Sequence, residues 1–182
     1  VTNWAIESTF LHEAIPGHHF QISLQQENSS LPKFRRFSGF GAFTEGWALY
    51  CESLGEQLGC YKDPYQKMGY YGNEIHRAVR LVVDVGLHTG KMTREEAIKY
   101  MTENEAVSER IATQEIERYM AMPGQALSYK TGELKIIELR NKYQKELGNK
   151  FNLKDFHDIL LKGGSMPLDI LEIYLDEWAK GV

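Results

Sequence analysis

Apolar residues recur at three- and four-residue spacing almost from end to end of the 182 residues, and alternating runs of Val, Ile and Thr are scarce. That period places apolar side chains on one stripe of a helix, so the sequence predicts a mostly α, multi-helix fold. Hydrophobic residues make up 42% of the chain, enough to build a sizeable core in a single domain.

Glycines, prolines and capping residues divide the pattern. A first helix is expected over residues 3–26, interrupted near Pro16-Gly17 and followed by a polar loop over 28–32. A second should run from Ala42 to Gly59, and a third from Pro64 to His88, closed by Thr89-Gly90. Thr93 and Glu96 have capping-box spacing, opening a short helix that ends around Met101. Helices follow over 105–120, stopped by Pro123-Gly124, then to Gly148-Asn149, over 153–162 and over 168–180. Within the charged stretch 133–146, Leu134, Ile137 and Leu139 read as one buried stripe.

The chain carries a formal net charge of −4, so neither nucleic acid nor an anionic membrane is an expected partner. Cys51 and Cys60 cannot make a disulfide framework and form no CxxC pair. No stretch approaches the ~20 apolar residues of a membrane span, and no targeting segment is visible. The glycines at 39, 41, 163 and 164 fit no phosphate-loop spacing. With no initiator Met, and an amphipathic pattern already running through Trp4, Ile6, Phe10 and Leu11, residues 1–182 read as one helical domain of a longer protein.

The informative segment is His12-Glu13-Ala14-Ile15-Pro16-Gly17-His18-His19, three imidazoles and a carboxylate in eight residues. In the HExxH pattern, i and i+4 place two imidazoles on one helical face, with the Glu beside them. Here i+4 from His12 is Pro16. On a regular helix His18 is rotated about 120° from His12, and His19 lies about 10.5 Å further along the axis. Neither shares a metal with His12 unless the helix breaks. Pro16 has no N–H to donate to the His12 carbonyl and Gly17 tolerates irregular backbone, so a break or π-bulge there would return His18 to His12. A catalytic zinc usually takes three protein ligands. Glu45, near the start of the second helix, is the best third donor; Glu52, two turns on along the same face, suits an outer role or an alternative ligand.

HEAIPGHHFQ followed by TEGWALYCE resembles the bacterial domain-of-unknown-function family 885, which is similar to the helical gluzincin metallopeptidases. Those enzymes carry HExGH and a Glu on a following helix. Gly17-His18 matches the GH and Glu45 the later Glu, with two extra residues between Glu13 and Gly17. That departure leaves His18 and His19 both open as second ligand. The resemblance continues through RLVVDVGLH, MTREEAIKYM and ERYMAMPGQALSYKTG to about Arg140.

The resemblance implies a zincin-like catalytic domain with its metal site on two adjacent helices. It implies one Zn²⁺ per chain, a peptide substrate, Glu13 as general base, and a preceding part of the same protein that completes the cleft. His88, Tyr119 and Tyr129 are candidate donors to the oxyanion. Asn73, Arg77, Arg80, Asp84 and His88 form a polar stripe on the third helix, with Asp84 and His88 spaced to pair. His76 and His157, without acidic or histidine neighbours in sequence, read as surface or structural residues. Tyr61, Tyr65, Tyr70 and Tyr71 read as packing. A metal-dependent hydrolase of a non-peptide substrate and an inactive helical binding module are the alternatives.

Overall fold

The computed structural model describes residues 3–182, which are helical with no strand among them. The helices are α1 (Ile6–Glu13), α2 (His18–Glu27), α3 (Lys33–Arg36), α4 (Gly41–Ser53), α5 (Pro64–His88), α6 (Arg94–Asn104), α7 (Glu109–Ala121), α8 (Ser128–Leu147), α9 (Leu153–Lys162) and α10 (Leu168–Lys180).

Local signals set several boundaries where the sequence puts them. Asp63 caps α5 by accepting from the Tyr65 N–H, with Pro64 in the first turn where no N–H is needed. Thr93 and Glu96 close the expected capping box on α6, which runs on to Asn104. Ser108, not Glu105, opens α7, accepting from the Ile111 N–H. The second helix stops at Ser53 instead of Gly59, because residues 54–59 turn to seat Leu54 and Tyr61 in the interior. The expected loop over 28–32 is followed by α3.

Two apolar clusters hold the helices together. One joins α4, α8, α9 and α10 through Phe43, Trp47, Ile136, Tyr143, Phe156 and Leu171. The other joins α5, α6 and α7 through Val79, Val83, Met101, Ile116 and Tyr119. On α8 the buried stripe is Ile136, Leu139 and Tyr143, while Leu134 is exposed and Glu133 is buried, correcting the expected stripe. Residues 3 and 4 apart share a helical face, and the packing against α4 selects that face.

Helices α4 and α8 cross at two glycines. A β-carbon on Gly132 would lie 1.8 Å from the Ala42 carbonyl oxygen, and one on Gly46 would lie 2.4 Å from the Gly132 α-carbon. Only glycine permits backbones to approach this closely. The crossing fixes α4, which carries Glu45 and Glu52, against α8, which carries Tyr129 and Glu133. No helix among the described residues is long and apolar enough to cross a membrane.

Candidate metal centre

The expected interruption is a full break. α1 ends at Glu13 and α2 begins at His18, with a cis Ile15–Pro16 peptide between them. Gly17 is needed for proximity: a β-carbon there would lie 1.9 Å from the His12 carbonyl oxygen, so the chain folds back onto the end of α1. Trp47 Nε1 donates to the Pro16 carbonyl at 2.8 Å and ties this turn to α4.

The break returns His18 to His12. A continuous helix would separate them by about 9 Å along its axis, whereas their ring centroids are 4.7 Å apart and edge-on. Glu45 completes the group: its Oε2 is 3.1 Å from His18 Nε2 and 3.6 Å from His12 Nε2. One donor atom from each of His12, His18 and Glu45 falls within 4.8 Å of the others. His19 is exposed on the next position of α2 and is not part of this group.

Glu52 approaches His12 from its other side. His12 Nδ1 donates to Glu52 Oε1 at 2.7 Å, with both residues buried. Glu45 and Glu52 are thus spanned by one imidazole, Nε2 toward the first and Nδ1 toward the second. Asn73 Nδ2 reaches Glu52 Oε2 at 3.5 Å and donates to the Ser8 hydroxyl at 2.6 Å. The Tyr61 hydroxyl donates to the Glu52 carbonyl.

Electrostatics favour charge at this point. Burial opposes a protonated His12, yet the Glu45 and Glu52 carboxylates outweigh it and raise its pKa to about 9. Burial likewise opposes ionised Glu45, but the two imidazoles hold its pKa at about 2. Nearby, burial together with Glu74 and Glu52 lifts Glu133 to about 7, against the pull of Lys130. Lys130 bridges Glu74 and Glu133.

The remaining sequence candidates are spread through the fold. Glu13, the last residue of α1, is exposed and takes no hydrogen bond from a side chain among the described residues. The Tyr129 ring stacks on His12 with centroids 6.1 Å apart and planes at 20°. Tyr119 is fully buried one layer behind, donating to Glu115 at 2.7 Å and accepting from Arg80 Nε at 2.8 Å. His88 lies eleven residues beyond Arg77 on α5, about 16 Å along the axis. Its Nδ1 is 2.8 Å from the Asp84 carbonyl oxygen and 3.5 Å from the carboxylate. The fold brings Tyr129 to His12, whereas Tyr119 bonds to Glu115 and Arg80, and His88 is exposed further along α5 with Nδ1 against Asp84.

Of two further histidines, His76 is surrounded differently from the sequence reading and His157 agrees with it. His76 has acidic neighbours from other helices, with Nδ1 2.7 Å from Glu105 and Nε2 3.7 Å from Glu115, a cross-helix pairing that local spacing does not reveal. His157 is structural: Tyr50 donates to its Nε2 at 2.7 Å, and burial followed by nearby Arg140 lowers its pKa to about 4. Trp47, which clamps the break, and Ser8, which seats Asn73, went unnoticed in the sequence. Their roles depend on partners 31 and 65 residues away. Tyr61 and Tyr70 stack at 5.1 Å, whereas Tyr65 and Tyr71 are exposed.

Comparison with known proteins places the chain among bacterial sequences. The profile of a bacterial protein family of unknown function, DUF885, matches residues 1–174, well past the Arg140 limit of the recognised motifs. A candidate lipoprotein from Colwellia psychrerythraea is 46% identical and superposes with a TM-score of 0.95, over 98% of this chain and 31% of that one. A candidate lipoprotein of unknown function from Shewanella oneidensis is 29% identical with a TM-score of 0.86, over 96% of this chain and 32% of that one. The chain therefore spans about a third of each. No curated protein matches it.

Proposed function

The chain belongs to the bacterial DUF885 family, and from that premise we propose that it forms the centre of a zinc-dependent peptidase of helical gluzincin type. The observation that carries this reading is the convergence of His12, His18 and Glu45 within 4.8 Å, with the far nitrogen of His12 held by Glu52.

The donor set suits zinc. Two imidazoles and one carboxylate make a catalytic zinc triad, and a carboxylate on the remote nitrogen of a ligating histidine fixes its tautomer and raises its basicity. His12 and His18 would each offer Nε2, and Glu45 a carboxylate oxygen. Zinc bound there would make a water acidic enough to attack at neutral pH and would polarise the scissile carbonyl.

The chain's own residues supply the proton chemistry. Glu13 follows His12 directly and is exposed and uncommitted, as a general base must be. It would accept the proton of the attacking water and deliver it to the leaving amine. Tyr129, stacked on His12, is the best placed of the three oxyanion candidates to donate to the carbonyl oxygen as charge develops.

Elemental analysis after incubation with zinc and removal of excess, paired with a peptide-cleavage screen, tests this reading. One zinc per chain and cleavage that disappears in Glu13→Gln are expected. Failure to take up zinc would overturn it. Zinc uptake with turnover of esters or amidated metabolites and of no peptide would favour the non-peptide hydrolase instead.

A further inference from the structure

Three cations approach the polar layer between the two apolar clusters, and two are neutralised. Arg80 donates to Glu115 at 3.2 Å as well as to Tyr119. Lys130 is shared by Glu74 and Glu133. Arg77 makes no ion pair and no hydrogen bond among the described residues, although it is half-buried and its Nε is sealed from solvent without a partner. Its guanidinium carbon is 5.5 Å from the centroid of Tyr129, the ring stacked on His12.

Arg77 also lines a groove of about 870 Å³. Asn73 and Arg77 form the part of the groove next to the metal centre, since Asn73 reaches Glu52 and Arg77 reaches Tyr129. The outer walls are apolar and exposed, with Trp4, Met68, Tyr71 and Ile75 prominent. Of the groove's acidic groups, Glu105 pairs with His76 through one oxygen, Glu115 pairs with Arg80 and Arg118, and Glu103 is exposed 3.8 Å from Lys99, so none of them pairs with Arg77. A partly desolvated guanidinium without a counter-charge is stabilised by an incoming anion, and a carboxylate matches its fork of N–H donors.

We propose that Arg77 is the specificity-determining residue of this centre, pairing with the free carboxylate at the C-terminus of a peptide whose last side chain is large and apolar. The centre then acts as a carboxypeptidase. What supports this placement is that Tyr129 lies against both Arg77 and His12, which puts Arg77 on the side of the groove nearest the centre. This inference rests on the peptidase reading.

Binding separates the two. Zinc-loaded Glu13→Gln protein is titrated calorimetrically with Ala-Ala-Phe, with its C-terminal amide, and with Ala-Glu-Ala amide, in the presence and absence of Arg77→Met. The free acid should bind roughly ten- to a hundredfold more tightly than its amide, the range expected of a charge-assisted pair. Arg77→Met should abolish that preference while leaving amide binding and zinc content unchanged, and Arg77→Lys should restore part of it. Equal binding of acid and amide with Arg77 present overturns the proposal and leaves the peptidase reading standing. An Arg77-dependent preference for Ala-Glu-Ala amide over the free acid also overturns it, in favour of acidic side-chain recognition. Zinc-loaded protein that binds none of the three overturns both.

Discussion

The Glu52 carboxylate meets Nδ1 of His12 at 2.7 Å in a place closed to solvent, so the opposite nitrogen of that ring is presented to Glu45 and His18. A buried carboxylate in this position sets the ring's tautomer and orientation. Glu52→Gln keeps the volume and removes the charge, and it should weaken zinc affinity roughly 10- to 100-fold. Glu45→Ala should remove zinc retention altogether. Competition with a chromogenic chelator ranks the two, and equal losses would mean that Glu52 is itself a ligand.

His18 and His19 are adjacent, yet only His18 faces His12. His18→Ala should therefore abolish stoichiometric zinc and His19→Ala should leave it near one per chain. Metal analysis of both purified variants decides this, and the reverse pattern would require α2 to be turned by one residue.

Glu13→Gln should bind zinc like the parent and lose peptide cleavage by about 10²- to 10⁴-fold, the range of general acid–base catalysis. Single-turnover assays on zinc-quantified samples are the check. Loss of metal together with activity would instead make Glu13 a ligand.

The α4–α8 crossing leaves no room for a methyl group. Gly132→Ala would press a β-carbon against the Ala42 carbonyl oxygen, and it should destabilise the fold by about 3 kcal/mol, as overpacking does. Gly72→Ala, on an open face of α5, should be neutral or stabilise by up to about 1 kcal/mol through helix propensity. Urea denaturation of the two variants side by side isolates the steric term from glycine's effect on the unfolded chain.

His157 makes stability depend on acidity. Its folded pKa is about 4 against an ordinary 6.5, so as pH falls the unfolded chain takes up that proton first. Its stabilising contribution is complete above pH 6.5 and is lost between 6.5 and 4, by up to about 3 kcal/mol. His157→Gln, which can still accept from Tyr50, should show a flatter profile over that window. The difference between the two denaturation curves at pH 7 and pH 4.5 measures it, and parallel profiles would refute the assignment.

Much of this was legible from residues close together in sequence. The apolar period announced helices. Pro64 and the Thr93–Glu96 box marked where α5 and α6 begin, since caps are satisfied by neighbours a few positions away. The His12, His18 and Glu45 candidates followed from local chemistry together with the conflict between Pro16 and a continuous helix. Leu134 shows the limit of such reading: its spacing fits a buried stripe, but the crossing at Gly46 and Gly132 turns another face of α8 inward.

The sequence by itself determined a helical chain, a break after α1 and a set of candidate metal-ligand side chains, because periodicity, capping and proline chemistry act within a turn or two. Only the tertiary structure decided that His18 and not His19 faces His12, that one imidazole lies between two carboxylates seven residues apart on α4, and that Arg77 has no counter-charge among the described residues. Those outcomes depend on the distance and rotation between helices. They are set by glycine contacts and buried hydrogen bonds joining residues tens of positions apart, and no local pattern encodes them.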